Sequence, residues 1–422
     1  MVRVERWLHV DINSYFATLL QQENPYLRGR PIGVVKEAGR TCVIAASKEA
    51  KKLGITTGCS AGAAKQLAPN IVFIPASFPL CLAATQKLER IFSTIAPHYE
   101  LFSLDEAFVD LSDCTQLYPD VAAVGRQVQQ RIKEELGDWV TCNVGLSYNR
   151  MLAKLASEIA PKGSVLQITP DNLFYYLAAA PLRDVCGIGH RLQKHLRRLN
   201  VQSPLALNFV SDADLALWCG PHWAQELRSI GRGEETHFLA QSDHSEQAMK
   251  SVSRSITGWQ LCRHEAAMRR ILRNLVDEVV SKSRQMKLAG HHVSVSLEGS
   301  KRGQWWFRHQ AVPTPVRHSQ VMFGIITKLL NDSWHSDWPV IRWRVALSDL
   351  DDWNHAPAAW LPEWQRQEKL ETARAAINER FGNFTVFPAS LLGGTIIKPE
   401  VTGFWGDKNF YRLKGRDEHQ DR

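Results

Sequence analysis

The 422-residue chain is 44% hydrophobic and 22% charged, an ordinary soluble composition, and its length exceeds what one core holds, so about two to four domains are expected. Its net charge of +8 suits a polyanionic partner, although charge speaks to association rather than to fold. Eight scattered cysteines without a Cys-x-x-Cys pair argue against a zinc site or a disulfide framework, and with no run of about 18 apolar residues and no secretory leader, a cytoplasmic protein is expected.

The first element is a buried strand over residues 7–12 that ends on Asp11, with Asn13-Ser14 expected to cap a helix beginning at Tyr15, Phe16 and Ala17. Strands follow at 32–35 and 42–46. A short helix over 47–54 carries Lys48, Lys51 and Lys52 and closes on Gly54. Those lysines suit either a solvated face or a lobe that grips phosphates. A helix over 80–99 leads into Leu101–Asp110, which alternates as a strand. Phe102, Leu104, Glu106 and Phe108 fall on one side, with Ser103, Asp105, Ala107 and Val109 on the other. Two adjacent acids in an apolar strand cost several kcal/mol unless something pairs with them. Helix 121–136, strand 139–146 and a helix from Ser147 to Pro161 complete an α+β domain.

Residues 185–190 read Val-Cys-Gly-Ile-Gly-His, and a Gly-x-Gly turn between helices can offer backbone N–H groups to a phosphate. After helical sequence to about residue 232, the polar stretch 233–249 reads as a linker. From Lys250 to Asp349 there are 16 Lys/Arg against 7 Asp/Glu, a net of 16 − 7 = +9 that exceeds the charge of the whole chain. That segment patterns as β-α-β-β-α-β, with Arg254, Lys301, Arg302, Arg308, Arg342 and Arg344 on its strands and loops. Alternation puts Arg342 and Arg344 on one face, where a polyanion would relieve their repulsion. Trp353, Trp360 and Trp364 mark an extended loop, followed by a helix over 368–380 and a Gly/Pro-containing tail.

Three motifs stand in order: Val10-Asp11-Ile12-Asn13-Ser14-Tyr15-Phe16-Ala17, then Phe102-Ser103-Leu104-Asp105-Glu106-Ala107-Phe108-Val109-Asp110, then Val144 to Ala156 around Ser147-Tyr148-Asn149-Arg150. With Gly187-Ile188-Gly189 behind them, they resemble the Y-family (DinB/UmuC-type) translesion DNA polymerases. The resemblance implies a right hand with a ferredoxin-like palm (1–11 and 79–166), fingers (12–78), a thumb with a helix-hairpin-helix (167–235), a linker (236–249), a DNA-binding little finger (250–350) and a tail (351–422). It also implies that Asp11, Asp105 and Glu106, with the Ile12 carbonyl, hold two Mg²⁺ ions. Such ions, about 3.5–4 Å apart, activate the primer 3′-hydroxyl and stabilise the leaving pyrophosphate. Phe16 matches the family's steric gate against a 2′-hydroxyl, while Tyr15 reads as a core aromatic. Lys48, Lys51 and Lys162 become nucleotide ligands, and Gly187, Gly189 and the basic residues of 250–350 become DNA contacts. Primer–template DNA and deoxynucleoside triphosphates are the implied partners, with the sliding clamp or SOS accessory proteins as candidate recruiters, and a monomer is expected.

The chain departs from the family pattern in three places. Lys48 and Lys51 stand where many members have Tyr and Arg, and lysine lacks arginine's planar fork. Pro161-Lys162-Gly163 replaces a Lys-Pro-Asn-Gly, which displaces the lysine by one position, and residues 351–422 hold no good copy of a clamp-binding peptide. A non-catalytic DNA-binding subunit that recruits another polymerase is the alternative reading, against which all three acids stand. A two-metal nuclease or cyclase is disfavoured by the helix-hairpin-helix and the +9 segment.

Overall fold

The computed structural model describes residues 6–36, 42–114, 116–240, 249–335, 337–353, 362–382 and 384–392. The chain divides into two compact units, Met1–His244 and Ser245–Arg422. Among the described residues no helix is long and apolar enough to cross a membrane.

The first unit is built on a five-stranded sheet in the order β5-β6-β1-β7-β8, formed by β1 (Trp7–Ile12), β5 (His98–Leu101), β6 (Glu106–Asp110), β7 (Cys142–Ser147) and β8 (Val165–Gln167). Alternation sorts its two faces. Leu8, Val10, Ile12, Ala107, Val109, Val144 and Leu146 pack with α4 (Phe78–Ile95) and α5 (Val121–Leu136). Trp7 and Phe108 face the other way, into a core shared with α6 (Arg150–Ile159). There α6 lies almost on the sheet backbone: a Cβ on Gly145 would stand 1.9 Å from the Ala153 carbonyl oxygen and 2.4 Å from the Ser157 nitrogen. Only glycine tolerates that approach.

A three-stranded sheet, β3-β2-β4, forms a lobe from β2 (Ile32–Val35), β3 (Ala45–Ala46) and β4 (Val72–Pro75), with α1 (Tyr15–Glu23), α2 (Lys48–Lys52) and α3 (Ala61–Leu67) around it. A helical region follows: α7 (Leu173–Ala179), α8 (His190–Arg198), α9 (Asp212–Cys219) and α10 (Pro221–Arg232). The expected linker starts too early. Thr236 and Leu239 are buried in the first unit, and the Glu235 carboxylate accepts from the Arg150 N–H (2.7 Å) and the Met151 N–H (3.3 Å), capping α6. Residues 241–248 lie outside the described residues.

The second unit is an antiparallel sheet in the order β11-β10-β12-β9. Its elements run β9 (Ser251–Cys262), α11 (Glu265–Gln285), β10 (Leu288–Gly299), β11 (Trp305–Val316), α12 (Ser319–Ser333) and β12 (Val340–Asp352). Val252, Ile256, Val293, Val295, Leu297, Trp306, Trp343, Val345 and Leu347 meet the helices on one face. The tail's expected helix is longer than its periodicity suggests, α13 (Pro362–Phe381), and it docks by charge. Arg374 reaches Asp277 (3.4 Å), Ser319 (3.0 Å) and Glu371 (2.6 Å). Trp353 lies under the guanidinium groups of both Arg284 and Arg317. Trp360 and the side chain of Trp364 lie outside the described residues.

Several local expectations are corrected. Leu101–Asp110 is not one strand but a hairpin: β5 pairs with β6 through Leu101↔Ala107, and Phe102 and Ser103 both donate to the Glu106 carbonyl. Asp105 therefore sits in the turn. Ser14 does not cap α1 by its side chain but adopts a left-handed conformation, φ 53 and ψ 43, a backbone state that costs a non-glycine residue about 1–3 kcal/mol. The cap of α6 is Asn149, whose side chain accepts from the Leu152 N–H at 2.8 Å, while Ser147 ends β7. The strand expected over 42–46 shrinks to Ala45–Ala46 plus an isolated bridge from Cys42 to Ser60.

Candidate active site

The register of the first sheet gathers the acids. Asp11 on β1 pairs directly with Glu106 on β6, and the Ile12 N–H donates to the Asp105 carbonyl at 3.0 Å. Backbone pairing of one strand end with one hairpin turn thus puts three carboxylates at one end of the sheet, although Asp11 is more than ninety residues from the others in sequence.

Their environments differ. Burial, and then the charges of Asp105 and Glu106, push the Asp11 carboxyl up to about 8. Asp105 is also raised, by burial above all, against the pull of a 2.5 Å bond from the Ser103 hydroxyl. Glu106 goes the other way: burial would raise it, but His9, which takes up a proton below about 4, and the Lys154 ammonium outweigh that and hold it at about 2. Lys154 donates to Glu106 Oε2 at 2.6 Å.

Below Glu106 lies a buried relay. His9 Nδ1 is 2.6 Å from Ser157 Oγ, and Ser157 Oγ donates to the Lys154 carbonyl at 2.8 Å. The Lys154 ammonium lies 3.4 Å from His9 Nε2. Ser157 therefore accepts from His9 Nδ1–H, which leaves Nε2 bare to accept from Lys154. Burial and the neighbouring Lys154 charge bring His9 down to about 4, so it is neutral near pH 7.

On the facing lobe, Ser47 caps α2 by accepting from the Ala50 N–H (3.3 Å). Lys48 Nζ donates to Thr141 Oγ1 at 3.1 Å. Lys48 and Lys51 are lowered by burial, and Lys162 lowers each further. Asp11 and Asp105 raise Lys51 in return. Lys51 thus feels both Asp11 and Asp105, while Lys162 acts on Lys48 and Lys51 alike. Phe16 is half-buried and meets Tyr15 edge-on at 5.7 Å. Tyr15 is core, its hydroxyl bonded to the Cys81 carbonyl (2.6 Å) and Thr85 (2.8 Å).

Gly187 has φ 89, a conformation a side chain would strain, and Gly189 caps α8. In the second unit Lys301 and Arg302 occupy the β10–β11 hairpin, and Arg342 and Arg344 are exposed on one face, Arg342 bonded to Glu298 at 2.8 Å. Two expected DNA contacts are elsewhere. Arg254 is buried among the core-facing residues of β9 and ion-paired with Glu278. Arg308 lies on β11 rather than in a loop, and stacks over the Trp306 ring at 5.7 Å on the helix side of the sheet, away from Arg342 and Arg344.

Sequence reasoning assigned no role to Lys154, His9 or Glu235. Lys154 had a signal: it stands among Met151, Leu152, Ala153, Leu155 and Ala156, and the structure buries all of residues 150–157, so a lysine there needs a partner.

Among the described residues no group of three or more His, Cys, Asp or Glu side chains converges to hold a metal ion; Glu106 is held by Lys154 and Asp105 by Ser103. The donor set nonetheless fits a hard divalent cation. It is made of carboxylate oxygens, and the Asp11 carboxyl, with no hydrogen bond or ion pair among the described residues, is pushed up to about 8 by burial and its acidic neighbours, so a bound cation would favour its ionised form.

Carboxylates crowded beside ammonium groups suit phosphoryl transfer from a nucleoside triphosphate. Residues 10–158 match the impB/mucB/samB family and residues 249–359 match that family's C-terminal domain. The chain belongs to this family, the Y-family DNA polymerases of DinB type. A DNA polymerase IV of Alkalilimnicola ehrlichii is 28% identical over 344 residues, covering 81% of this chain and 94% of that protein. One of Moorella thermoacetica is 29% identical over 388 residues, covering 91% and 95%, and one of Gluconobacter oxydans is 34% identical over 198 residues, covering 47% and 55%. A solved Y-family DNA polymerase chimera shares the fold at a TM-score of 0.69 and 21% identity, over 82% of this chain and 98% of that one.

Proposed function

We propose that the chain is a cytoplasmic translesion polymerase that adds deoxynucleotides to a primer 3′-hydroxyl with low fidelity on damaged templates. The observation that carries the reading is the register that brings Asp11 to Glu106 and Ile12 to Asp105. Asp11, Asp105, Glu106 and the Ile12 carbonyl would hold two Mg²⁺ ions, which when bound supply charge neutralisation at the attacking oxygen and the leaving pyrophosphate. Lys154 positions Glu106 and keeps it ionised. Lys48, Lys51 and Lys162 take the triphosphate as point charges, and Phe16 lies under the sugar. Gly187 and Gly189 present backbone N–H groups to a DNA phosphate, and Lys301, Arg302, Arg342 and Arg344 add phosphate contacts from the second unit.

Primer extension by the purified chain on undamaged templates and across a lesion panel tests this reading. Incorporation on both, with frequent mismatches, is expected. Duplex binding without incorporation under any divalent metal would replace it by the non-catalytic recruiter.

A further inference from the structure

The second unit carries a surface that phosphate contacts do not explain. On β11, the edge strand, alternation sends Trp305, Phe307 and His309 to the sheet face opposite the helices. Trp305 is 61% exposed and Phe307 38%. Their rings stack at 5.8 Å with planes 6° apart, Phe307 meets His309 at 5.8 Å, and His309 stacks on His292 of β10 at 6.3 Å and 14°. Single exposed aromatics are ordinary on a protein surface; a contiguous row on an edge strand is an aggregation liability unless something covers it.

The surroundings say what kind of partner fits. Across the sheet from Phe307 stands Ser296, and beyond it Arg344. The acid beside the row, Glu298, is held by Arg342. The turn leading into Trp305 is basic, Lys301-Arg302, within the segment of net charge +9 (16 − 7). An exposed aromatic row, the small Ser296 beside it and flanking cations form a surface on which bases can stack against the outer rings while the cations hold a polyanionic backbone. A base pair offers its π faces only at a duplex end, so the row selects unpaired strands.

We propose that the Trp305–Phe307–His309 row stacks unpaired bases and holds single-stranded DNA on the second unit. The inference rests on the polymerase reading only for the choice of DNA. The test uses the full chain and fluorescence anisotropy with three labelled probes: oligo-deoxythymidine, an abasic oligomer of equal length, and blunt duplex. The Trp305→Ala/Phe307→Ala variant is expected to bind oligo-deoxythymidine about 10- to 100-fold more weakly, with its affinity for abasic oligomer and duplex changed less than about threefold. Trp305→Phe/Phe307→Tyr keeps flat rings and is expected to restore binding. Unchanged affinity for oligo-deoxythymidine, or equal loss on all three probes with an unchanged melting temperature, would overturn the proposal. Failure of the polymerase reading would show separately, as absent primer extension by the wild-type chain.

Discussion

Lys154 Nζ stands 2.6 Å from Glu106 Oε2, and both side chains are largely buried. Removing the ammonium leaves a carboxylate without its counter-charge. Lys154→Met is therefore expected to cost about 2–4 kcal/mol of stability, read by urea denaturation. It should also raise Glu106 from about 2 and move the acid limb of the activity profile upward. Glu106 is depressed below its ordinary 4.5, so its stabilising contribution is complete above about 4.5 and is lost as pH falls towards about 2. The variant should lose the share of that acid-sensitive component that Lys154 supplies, with the share from His9 remaining.

Asp11 has the opposite sign. Its folded value of about 8 lies above the ordinary 3.8, so the folded chain binds that proton more tightly than the unfolded chain does. Stability of the metal-free protein from this group then falls as pH rises from about 4 to about 8. Asp11→Asn should flatten that fall. Mg²⁺ should raise the wild-type melting temperature by about 2 °C or more at about pH 8, less at about pH 5, and hardly at all in the variant. Calorimetry at the two pH values, with and without the ion, reads all of this.

The α6 contact makes Gly145 a lever on the site. His9 pairs with Gly145 across β1 and β7, so lifting α6 from Gly145 also lifts Lys154 and Ser157 from His9. Gly145→Ala should destabilise the chain by about 1–3 kcal/mol and reduce incorporation further than that loss alone would. Chemical denaturation beside primer extension separates the two effects.

Much of this was legible in the sequence, for identifiable reasons. Period-two alternation put Glu106 and Phe108 on one face, and the β-α-β-β-α-β order of the second unit followed from its pattern. The hairpin around Ser103-Leu104-Asp105 carries turn formers in Ser103 and Asp105, but the apolar alternation of Phe102, Leu104 and Phe108 across them reads as one unbroken strand. Arg254 shares the parity of Val252 and Ile256, which places it on the core face; its charge was read without its position. The docking of α13 was invisible, since Asp277, Ser319, Glu371 and Arg374 come from three helices and no local pattern joins them.

The two arginines separate stability from DNA binding. Arg344→Ala should lower the slope of log affinity against log salt by about 1 with little change in stability. Arg254→Ala removes the guanidinium that ion-pairs with Glu278 in the core and should cost about 3 kcal/mol with the salt slope unchanged. Titrations of a primer–template at several salt concentrations, beside thermal melts, distinguish them.

Incorporation by this chain should depend most directly on the three acids. Single-turnover incorporation of one correct deoxynucleotide by Asp105→Asn, on DNA it still binds, is the measurement that bears on it. A rate at least about 1,000-fold below wild type is expected. A rate within about tenfold of wild type, with DNA binding intact, would contradict it.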